Sequence, residues 1–291
     1  YLPGNSPGMF LNAGLHSPDG VILDLEDSVA PERKDEARIL VRNALRVVNF
    51  YGAERMVRIN QGERGLDDLE MLIPQNVHLV LLPKCENAET VRAVDNRIRE
   101  IKEREGQNEM VFLMPIIESA AGVERAMEIA TAAESVVALA IGLEDYTADL
   151  GVQRTKEGKE SLYARNRLVV ASKAAGIQPI DSVFSDVGDM EGLLQNVLSA
   201  KAMGFEGMGC IHPRQIAVIR EGFSPSPEEM EKAKKIVIAY RDALEKGLGV
   251  VALGTKMIDP PVVARAEKTI TLAVRLGLLP ENWMDLEKSK N

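Results

Sequence analysis

Short apolar runs alternate along the chain with longer segments in which apolar residues recur every three or four positions. The seven runs that have the length of buried strands are residues 20–25, 56–59, 77–82, 111–117, 136–141, 177–184 and 207–211. The segments with helical spacing are residues 31–50, 66–73, 86–105, 120–133, 159–175, 186–203, 213–220, 227–246 and 260–276. Strands that alternate with helices at this rhythm are typical of βα units, which build a parallel sheet.

The number of strands favours a closed barrel. Residues 1–4 resemble the end of a further strand, and eight strands close a (β/α)8 or TIM barrel. Because the chain begins at Tyr1 without a Met, we expect further residues before it. A doubly wound nucleotide-binding fold is the alternative, but no G-x-G-x-x-G or P-loop motif follows an early strand. We predict an α/β fold with a TIM barrel over residues 1–223. Residues 224–291 are predicted to be a C-terminal helical extension that packs on the barrel or on a neighbouring subunit.

Charged side chains stand at the C-terminal ends of these strands. The residues concerned are Asp24, Glu26, Asp27, Arg58, Lys84, Glu118, Glu144, Asp145, Asp181 and His212. A parallel sheet that is buried on both faces has no structural reason to place carboxylates there. In a TIM barrel this end carries the active site, so the pattern indicates an enzyme.

Composition narrows the class of protein. The chain has 291 residues, of which 35 are basic and 44 acidic, and the net charge of −9 disfavours non-specific binding to nucleic acid. Cys85 and Cys210 match no zinc spacing and read as buried thiols in a reducing cytosol. No apolar run approaches membrane-spanning length and no signal peptide is visible, so we expect a cytoplasmic protein without a membrane partner.

Glu118 and Asp145 follow consecutive strands, so both side chains can point to one place above the barrel. Two carboxylates with open positions suit Mg²⁺, which keeps water and substrate oxygens as ligands. Helix capping is the alternative explanation for both residues. The chain has three histidines, too few to favour a histidine-rich zinc or iron centre.

Arg58 lies in a strand with apolar neighbours, and a buried charge needs a partner. It can pair with Glu26 or Asp27, or it can bind a substrate carboxylate through two parallel hydrogen bonds. Asp24 and Glu26 share one face of their strand, and at least one of the acidic residues is expected to be an internal partner of Arg58.

Three more charged positions are open to two interpretations. Lys84 is either a substrate contact or a charge at the rim of the barrel. A structural capping role is favoured over catalysis for His212, which precedes Pro213 at the start of a helix. For Asp181, a structural role and a catalytic role are both open.

Together these segments resemble the citrate lyase β-subunit family, within the wider group of HpcH/HpaI-type aldolases and malyl-CoA lyases. The motifs, in sequence order, are Pro3-Gly4-Asn5, Asp24-Leu25-Glu26-Asp27-Ser28-Val29, Arg58-Ile59-Asn60, Leu82-Pro83-Lys84, Pro115-Ile116-Ile117-Glu118-Ser119, Gly142-Leu143-Glu144-Asp145-Tyr146, Ile211-His212-Pro213 and Met257-Ile258-Asp259. They cover almost the whole chain in order.

The resemblance implies roles for particular residues. Glu118 and Asp145 are the implied Mg²⁺ ligands, and Arg58 is the implied contact for the carboxylate of an oxo acid. The backbone amides of Gly142, Leu143 and Glu144 are implied to face that carboxylate. Asp259 is the implied acid/base and reaches the site of a neighbouring subunit, with Glu26 or Asp27 as the alternative.

The implied reaction is the Mg²⁺-dependent cleavage of a citryl thioester on an acyl carrier protein into oxaloacetate and an acetyl thioester. The implied partners are the α and γ subunits of citrate lyase and further copies of this chain, in a homo-oligomer. A lyase for malyl-CoA or citramalyl-CoA and a thioesterase of the same family are alternatives. A non-catalytic scaffold is disfavoured, because it has no need of the charge cluster.

Overall fold

The computed structural model of the protein describes residues 1–245, 247–253 and 256–288. These residues form two compact units, Tyr1–Ile219 and Arg220–Asn291, although the last three residues of the second lie outside the described part.

The first unit is built on eight parallel strands that pair in the order of the sequence. They are β1 (Leu2–Pro3), β2 (Gly20–Asp24), β3 (Glu54–Arg58), β4 (Leu79–Leu82), β5 (Phe112–Ile117), β6 (Ala138–Ile141), β7 (Gln178–Asp181) and β8 (Gly207–Met208). The Tyr1 ammonium group donates to the carbonyl oxygen of Cys210 at 2.8 Å, which brings the start of the chain beside the residues after β8. The predicted α/β TIM-barrel-like fold is confirmed.

Helices follow the strands. They are α1 (Pro7–Ala13), α2 (Lys34–Val47), α3 (Gly62–Leu72), α4 (Ala88–Glu105), α5 (Ala120–Glu124), α6 (Ala126–Ala130), α7 (Leu143–Asp149), α8 (Leu162–Ala175), α9 (Met190–Met203) and α10 (Pro213–Phe223). The single helix predicted over residues 120–133 is interrupted at Arg125, whose φ of −96° and ψ of 12° leave the helical region. The sequence did not predict α1 and α7, because seven residues are too few to establish a helical period.

The pleat of the strands decides which residues reach the barrel mouth. Leu79, Leu81, Met114, Ile116, Ala138 and Ala140 form one buried cluster. These residues occupy alternate positions on β4, β5 and β6, and side chains two residues apart share a face of a strand. Glu118 and Gly142 lie two residues beyond Ile116 and Ala140, so the same alternation carries that face to the end of the sheet.

The second unit contains α11 (Pro227–Glu245), β9 (Val251–Leu253), β10 (Lys256–Ile258), α12 (Pro260–Arg275) and α13 (Trp283–Lys288). The two predicted helices of the extension are confirmed, except that Lys246 lies outside the described residues. The antiparallel pair β9–β10 and the helix α13 were not predicted. The buried core consists of Ala233, Ile236, Val237, Ile258, Val263, Ala266, Ile270 and Trp283. In the part of the chain that is described, no helix is both long and apolar enough to cross a membrane.

Candidate active site

Arg58 forms a two-point contact with Asp24 at the ends of β3 and β2. Its Nε and Nη2 atoms donate to Oδ1 and Oδ2 of Asp24, each at 2.6 Å. The two residues are direct neighbours across the parallel ladder, which explains the alignment. Burial opposes ionisation of Asp24, but the hydrogen bonds from Arg58 outweigh it and hold the pKa of Asp24 below its usual range. The structure thus confirms that one acidic residue of this segment is an internal partner of Arg58.

The third nitrogen of Arg58 faces the other two carboxylates. Nη1 lies 3.3 Å from Oε2 of Glu26 and 3.7 Å from Oδ2 of Asp27. Glu26 is buried, whereas the side chain of Asp27 is half exposed. Burial and then the hydrogen bond with Asp27 raise the pKa of Glu26. Burial also opposes ionisation of Asp27, but Glu26, Arg58 and Lys84 outweigh it and lower the pKa of Asp27. Within this pair the pKa of Glu26 is therefore higher than the pKa of Asp27.

Glu118 is a buried carboxylate directly after β5. Its Oε1 accepts a hydrogen bond from the backbone N–H of Lys84 at 2.7 Å. Burial, together with a smaller contribution from the charge of Asp145, raises the pKa of Glu118 to about 7, although the Lys84 N–H and Arg58 act in the opposite direction. A Cβ atom at position 142 would collide with Oε2 of Glu118, so Gly142 makes room for this carboxylate. An ionised Glu118 in this place needs a positive partner.

Asp145 lies in the first turn of α7, close enough to Glu118 for its charge to act on that residue. Its side chain is 41% exposed and stands 3.6 Å from Nζ of Lys84. In the described part of the chain no three His, Cys, Asp or Glu side chains are grouped as a metal cage. Glu118 is buried without full compensation of its charge, whereas Asp145 is more exposed. Such a pair of carboxylates nevertheless fits a hard cation that keeps water and substrate oxygens as ligands. The pair Glu118 and Asp145 thus fits Mg²⁺ better than a closed zinc site.

Two of the three backbone amides that the resemblance implied for substrate binding have acceptors within the chain. The N–H of Gly142 donates to the carbonyl oxygen of Ile117 at 3.0 Å, and the N–H of Leu143 donates to Oγ of Ser182 at 3.2 Å. The amide of Leu143 can reach a substrate only after it releases Ser182. A substrate role for these amides and for Glu144 stays a prediction.

A buried polar network behind the site was missed by the sequence analysis. Nζ of Lys34 donates to the carbonyl oxygens of Leu25 and Glu26, both at 3.0 Å, and to Oδ1 of Asn60 at 2.5 Å. Asn60 in turn donates through its N–H and Nδ2 to Oδ2 of Asp68. Lys34 therefore fixes the backbone of the turn that presents Glu26. Its position in a helix gave no signal in the sequence that it points back to this turn.

The remaining candidates have different surroundings. Asp181 is buried and accepts two hydrogen bonds from Arg165, so it is an internal ion partner. Nδ1 of His212 accepts from the N–H of Arg214 at 3.2 Å, as the predicted capping role requires. Asp259 caps α12 in the second unit, where its Oδ1 accepts from the N–H of Val262 at 3.2 Å.

Comparison with known proteins identifies relatives over almost the whole chain. Residues 1–213 match the family described as HpcH/HpaI aldolase/citrate lyase. The citrate lyase subunit β of Leuconostoc mesenteroides is 36% identical over 295 residues, which cover 99% of this chain and 96% of that protein. Human mitochondrial citramalyl-CoA lyase is 34% identical, and the alignment covers 95% of this chain and 85% of that protein. Protein CitE of Mycobacterium tuberculosis, solved with magnesium, acetoacetate and coenzyme A, is 32% identical. Its TM-score is 0.78, with coverage of 93% of this chain and 95% of the other.

Proposed function

Because the chain belongs to the HpcH/HpaI aldolase/citrate lyase family, we propose that it is a Mg²⁺-dependent carbon–carbon lyase acting on a citryl thioester. The products are oxaloacetate and an acetyl thioester. The observation that carries this proposal is the buried Glu118, which stands beside Asp145 and Arg58 at the mouth of the barrel with its pKa raised to about 7. A lyase of this type needs a place where negative charge is stabilised as a carbon–carbon bond breaks.

Glu118 and Asp145 are the proposed protein ligands of Mg²⁺. When bound, the ion supplies Lewis-acid stabilisation of the substrate's hydroxyl oxygen as its proton leaves. Arg58 orients the carboxylate of the oxo-acid half through its Nη1 side, since Asp24 already holds the Nε and Nη2 atoms. Orientation by a guanidinium that is itself fixed by a buried carboxylate reduces the entropy lost when the substrate is aligned.

The reaction moves one proton away from oxygen and one proton onto carbon. A base takes the hydroxyl proton, the carbon–carbon bond breaks, and the electron pair of that bond passes to the thioester enolate. An acid then protonates the enolate carbon, which gives the acetyl thioester. Asp259 of a neighbouring copy is the proposed acid/base. Glu26 is the alternative within the chain, because its pKa is raised whereas the pKa of its neighbour Asp27 is lowered.

The identity of the thioester carrier separates two versions of this function. The 36% identity to a citrate lyase subunit β favours a citryl group on an acyl carrier protein, in a complex with the α and γ subunits of citrate lyase. The 34% identity to a citramalyl-CoA lyase favours a CoA thioester of the same shape. The two substrates share the hydroxy-acid head, which is the part that Glu118, Asp145 and Arg58 are placed to bind.

A panel of thioesters tests the proposal. Citryl, malyl and citramalyl thioesters on CoA and on carrier protein are each incubated with enzyme and Mg²⁺. Oxo acid is measured by enzymatic reduction and free thiol by a thiol reagent. A lyase releases oxo acid and no thiol, and a thioesterase releases thiol and no oxo acid. Citryl carrier protein should be cleaved with the highest kcat/KM. Absence of an oxo acid from every thioester refutes the lyase.

We further propose that residues 224–291 complete the site of a neighbouring copy in a homo-oligomer. Asp259 lies in a segment that the eight-stranded barrel does not need, and the two prolines after it stiffen the chain at the start of α12. Such a residue is suited to project toward another subunit.

A further inference from the structure

Lys84 connects carboxylates from two different parts of the site. Its Nζ atom donates to Oε1 of Glu26 at 3.1 Å and to Oδ1 of Asp27 at 3.2 Å. The same atom lies 3.6 Å from Oδ1 of Asp145. Glu26 and Asp27 follow β2, whereas Asp145 lies in α7 after β6. One ammonium group thus links the turn that carries the alternative acid/base to one of the two proposed metal ligands.

The backbone of Lys84 has a conformation that a lysine rarely adopts. Its φ of +48° is in the left-handed region, which carries a steric penalty for a residue that has a Cβ atom. Glycine adopts this conformation without that penalty and would keep the N–H that donates to Glu118. A lysine here is therefore disfavoured by the backbone, so its side chain must contribute something that glycine lacks. Strained residues of this kind concentrate at functional sites.

The charges around Lys84 show what that contribution is. Two cationic side chains, Arg58 and Lys84, face the carboxylates of the site in the described part of the chain. The carboxylates that these two side chains pair with are those of Asp24, Glu26, Asp27 and Asp145, and the charge of Arg58 also acts on Glu118. Arg58 is held by Asp24, so Lys84 is the counter-charge on the side of Asp145. Although burial acts against it, the hydrogen bond with Glu26 and the charges of Asp27 and Asp145 raise the pKa of Lys84.

We propose that Lys84 is a positioning residue that neutralises Asp145 in the ion-free site and gives up this contact when a divalent cation binds. Its hydrogen bonds to Glu26 and Asp27 hold that turn in place in both states. Lys84 thereby lowers the affinity for the cation and keeps the carboxylates of the empty site from repelling one another. This inference rests on the proposed function, because it takes Asp145 as a ligand of the ion.

Binding of Mn²⁺ without substrate, followed by electron paramagnetic resonance at low ionic strength, tests the proposal. Lys84→Met retains the unbranched side chain but removes the charge, so the cation no longer has to displace an ammonium group. We expect Mn²⁺ to bind roughly tenfold more tightly, which corresponds to about 1.4 kcal/mol. A merely structural role predicts the opposite sign, since a disordered site binds an ion more weakly. Unchanged or weaker binding overturns the proposal.

Two further variants make the result specific. Lys84→Arg keeps the positive charge and should bind Mn²⁺ within about threefold of the wild type; an Arg variant that behaves like the Met variant overturns the charge argument. Asp145→Asn should bind Mn²⁺ weakly. When Lys84→Met is combined with Asp145→Asn, it should change the Mn²⁺ affinity little, because the two residues act on each other. If Asp145→Asn binds Mn²⁺ as the wild type does, the ligand assignment fails. If Asp145→Asn binds Mn²⁺ weakly but the single variant Lys84→Met does not bind it more tightly than the wild type, the ligand assignment stands and only the proposed role of Lys84 fails.

Discussion

Replacement of Glu118 by Gln should stabilise the protein in the absence of metal, although it should abolish activity. The side chain is 5% exposed and its pKa is raised to about 7 from an ordinary value of 4.5, because burial disfavours the charged form. A carboxyl group whose pKa is raised by folding stabilises the protein most below pH 4.5. This contribution falls as the pH rises, and it is lost above pH 7. Gln has nearly the same shape, carries no charge and can still accept the hydrogen bond from Lys84.

The size of the effect follows from the two pKa values. Each pH unit between them corresponds to about 1.4 kcal/mol, so the ionised carboxylate lowers the free energy of unfolding by about 3 kcal/mol above pH 7. For a chain of this size the gain in Glu118→Gln corresponds to roughly 5–10 °C in Tm at pH 8. The difference between variant and wild type should shrink as the pH falls and disappear near pH 4.5.

Thermal and urea unfolding, followed by far-ultraviolet circular dichroism in the presence of a chelator, measure this difference across pH 4.5–8. Tryptophan fluorescence is unsuitable, because Trp283 lies in the second unit. The exposed Glu134→Gln is the matched control and should change stability by less than about 0.5 kcal/mol. Saturating Mg²⁺ should stabilise the wild type and not the Glu118 variant. Equal or lower stability of metal-free Glu118→Gln at pH 8 would refute the reasoning.

Three other outcomes are expected from the same site. Asp145→Asn should keep the fold and lose Mg²⁺-dependent cleavage; unchanged turnover at saturating substrate would remove Asp145 from the ligand set. Arg58→Lys should weaken oxaloacetate binding by about 2–3 kcal/mol in calorimetry, because lysine loses the two-point contact with Asp24 that directs the Nη1 side of Arg58 toward the substrate. Undiminished affinity would leave Arg58 as an internal partner of the acidic residues Asp24, Glu26 and Asp27 only. Mixed oligomers of inactive Asp259→Ala and inactive Asp145→Asn protomers should recover part of the activity, since some sites then combine an intact metal pair with an intact Asp259. Verified mixed oligomers without activity would return the acid/base role to Glu26 or Asp27.

The barrel was predictable from the sequence because its signal is repeated. Each βα unit supplies an apolar run and a helical period, and an error at one boundary leaves the count of strands intact. The charged residues at the strand ends were predictable for the same reason, since the direction of parallel strands decides that their ends share one edge. Within the site, Arg58 was expected to need an internal acidic partner, and Asp24 is that partner.

The features that the sequence did not reveal depend on single contacts. Lys34 belongs to a helix whose pattern predicts only a surface charge, yet its ammonium group holds two backbone carbonyls beneath the site. The left-handed backbone of Lys84 has no signal in the sequence, because the residue type usually found there is glycine. The antiparallel pair β9–β10 consists of two strands of three residues, too short for an alternating pattern to be recognised. Contacts of this kind arise when distant segments fold together.

The two cationic side chains of the site differ in how firmly they are held, and this difference suits different tasks. Arg58 has two nitrogens bound to a buried carboxylate that stays ionised, and only 13% of its side chain is exposed. Its remaining nitrogen therefore keeps one direction, as recognition of a substrate carboxylate requires. Lys84 is 33% exposed and divides one ammonium group among three carboxylates at 3.1–3.6 Å. A flexible point charge with several partners can give up one of them without leaving the others unpaired. Because the guanidinium of Arg58 is fixed and the ammonium group of Lys84 can give up one contact, the site can bind a cation while the geometry around Arg58 stays constant.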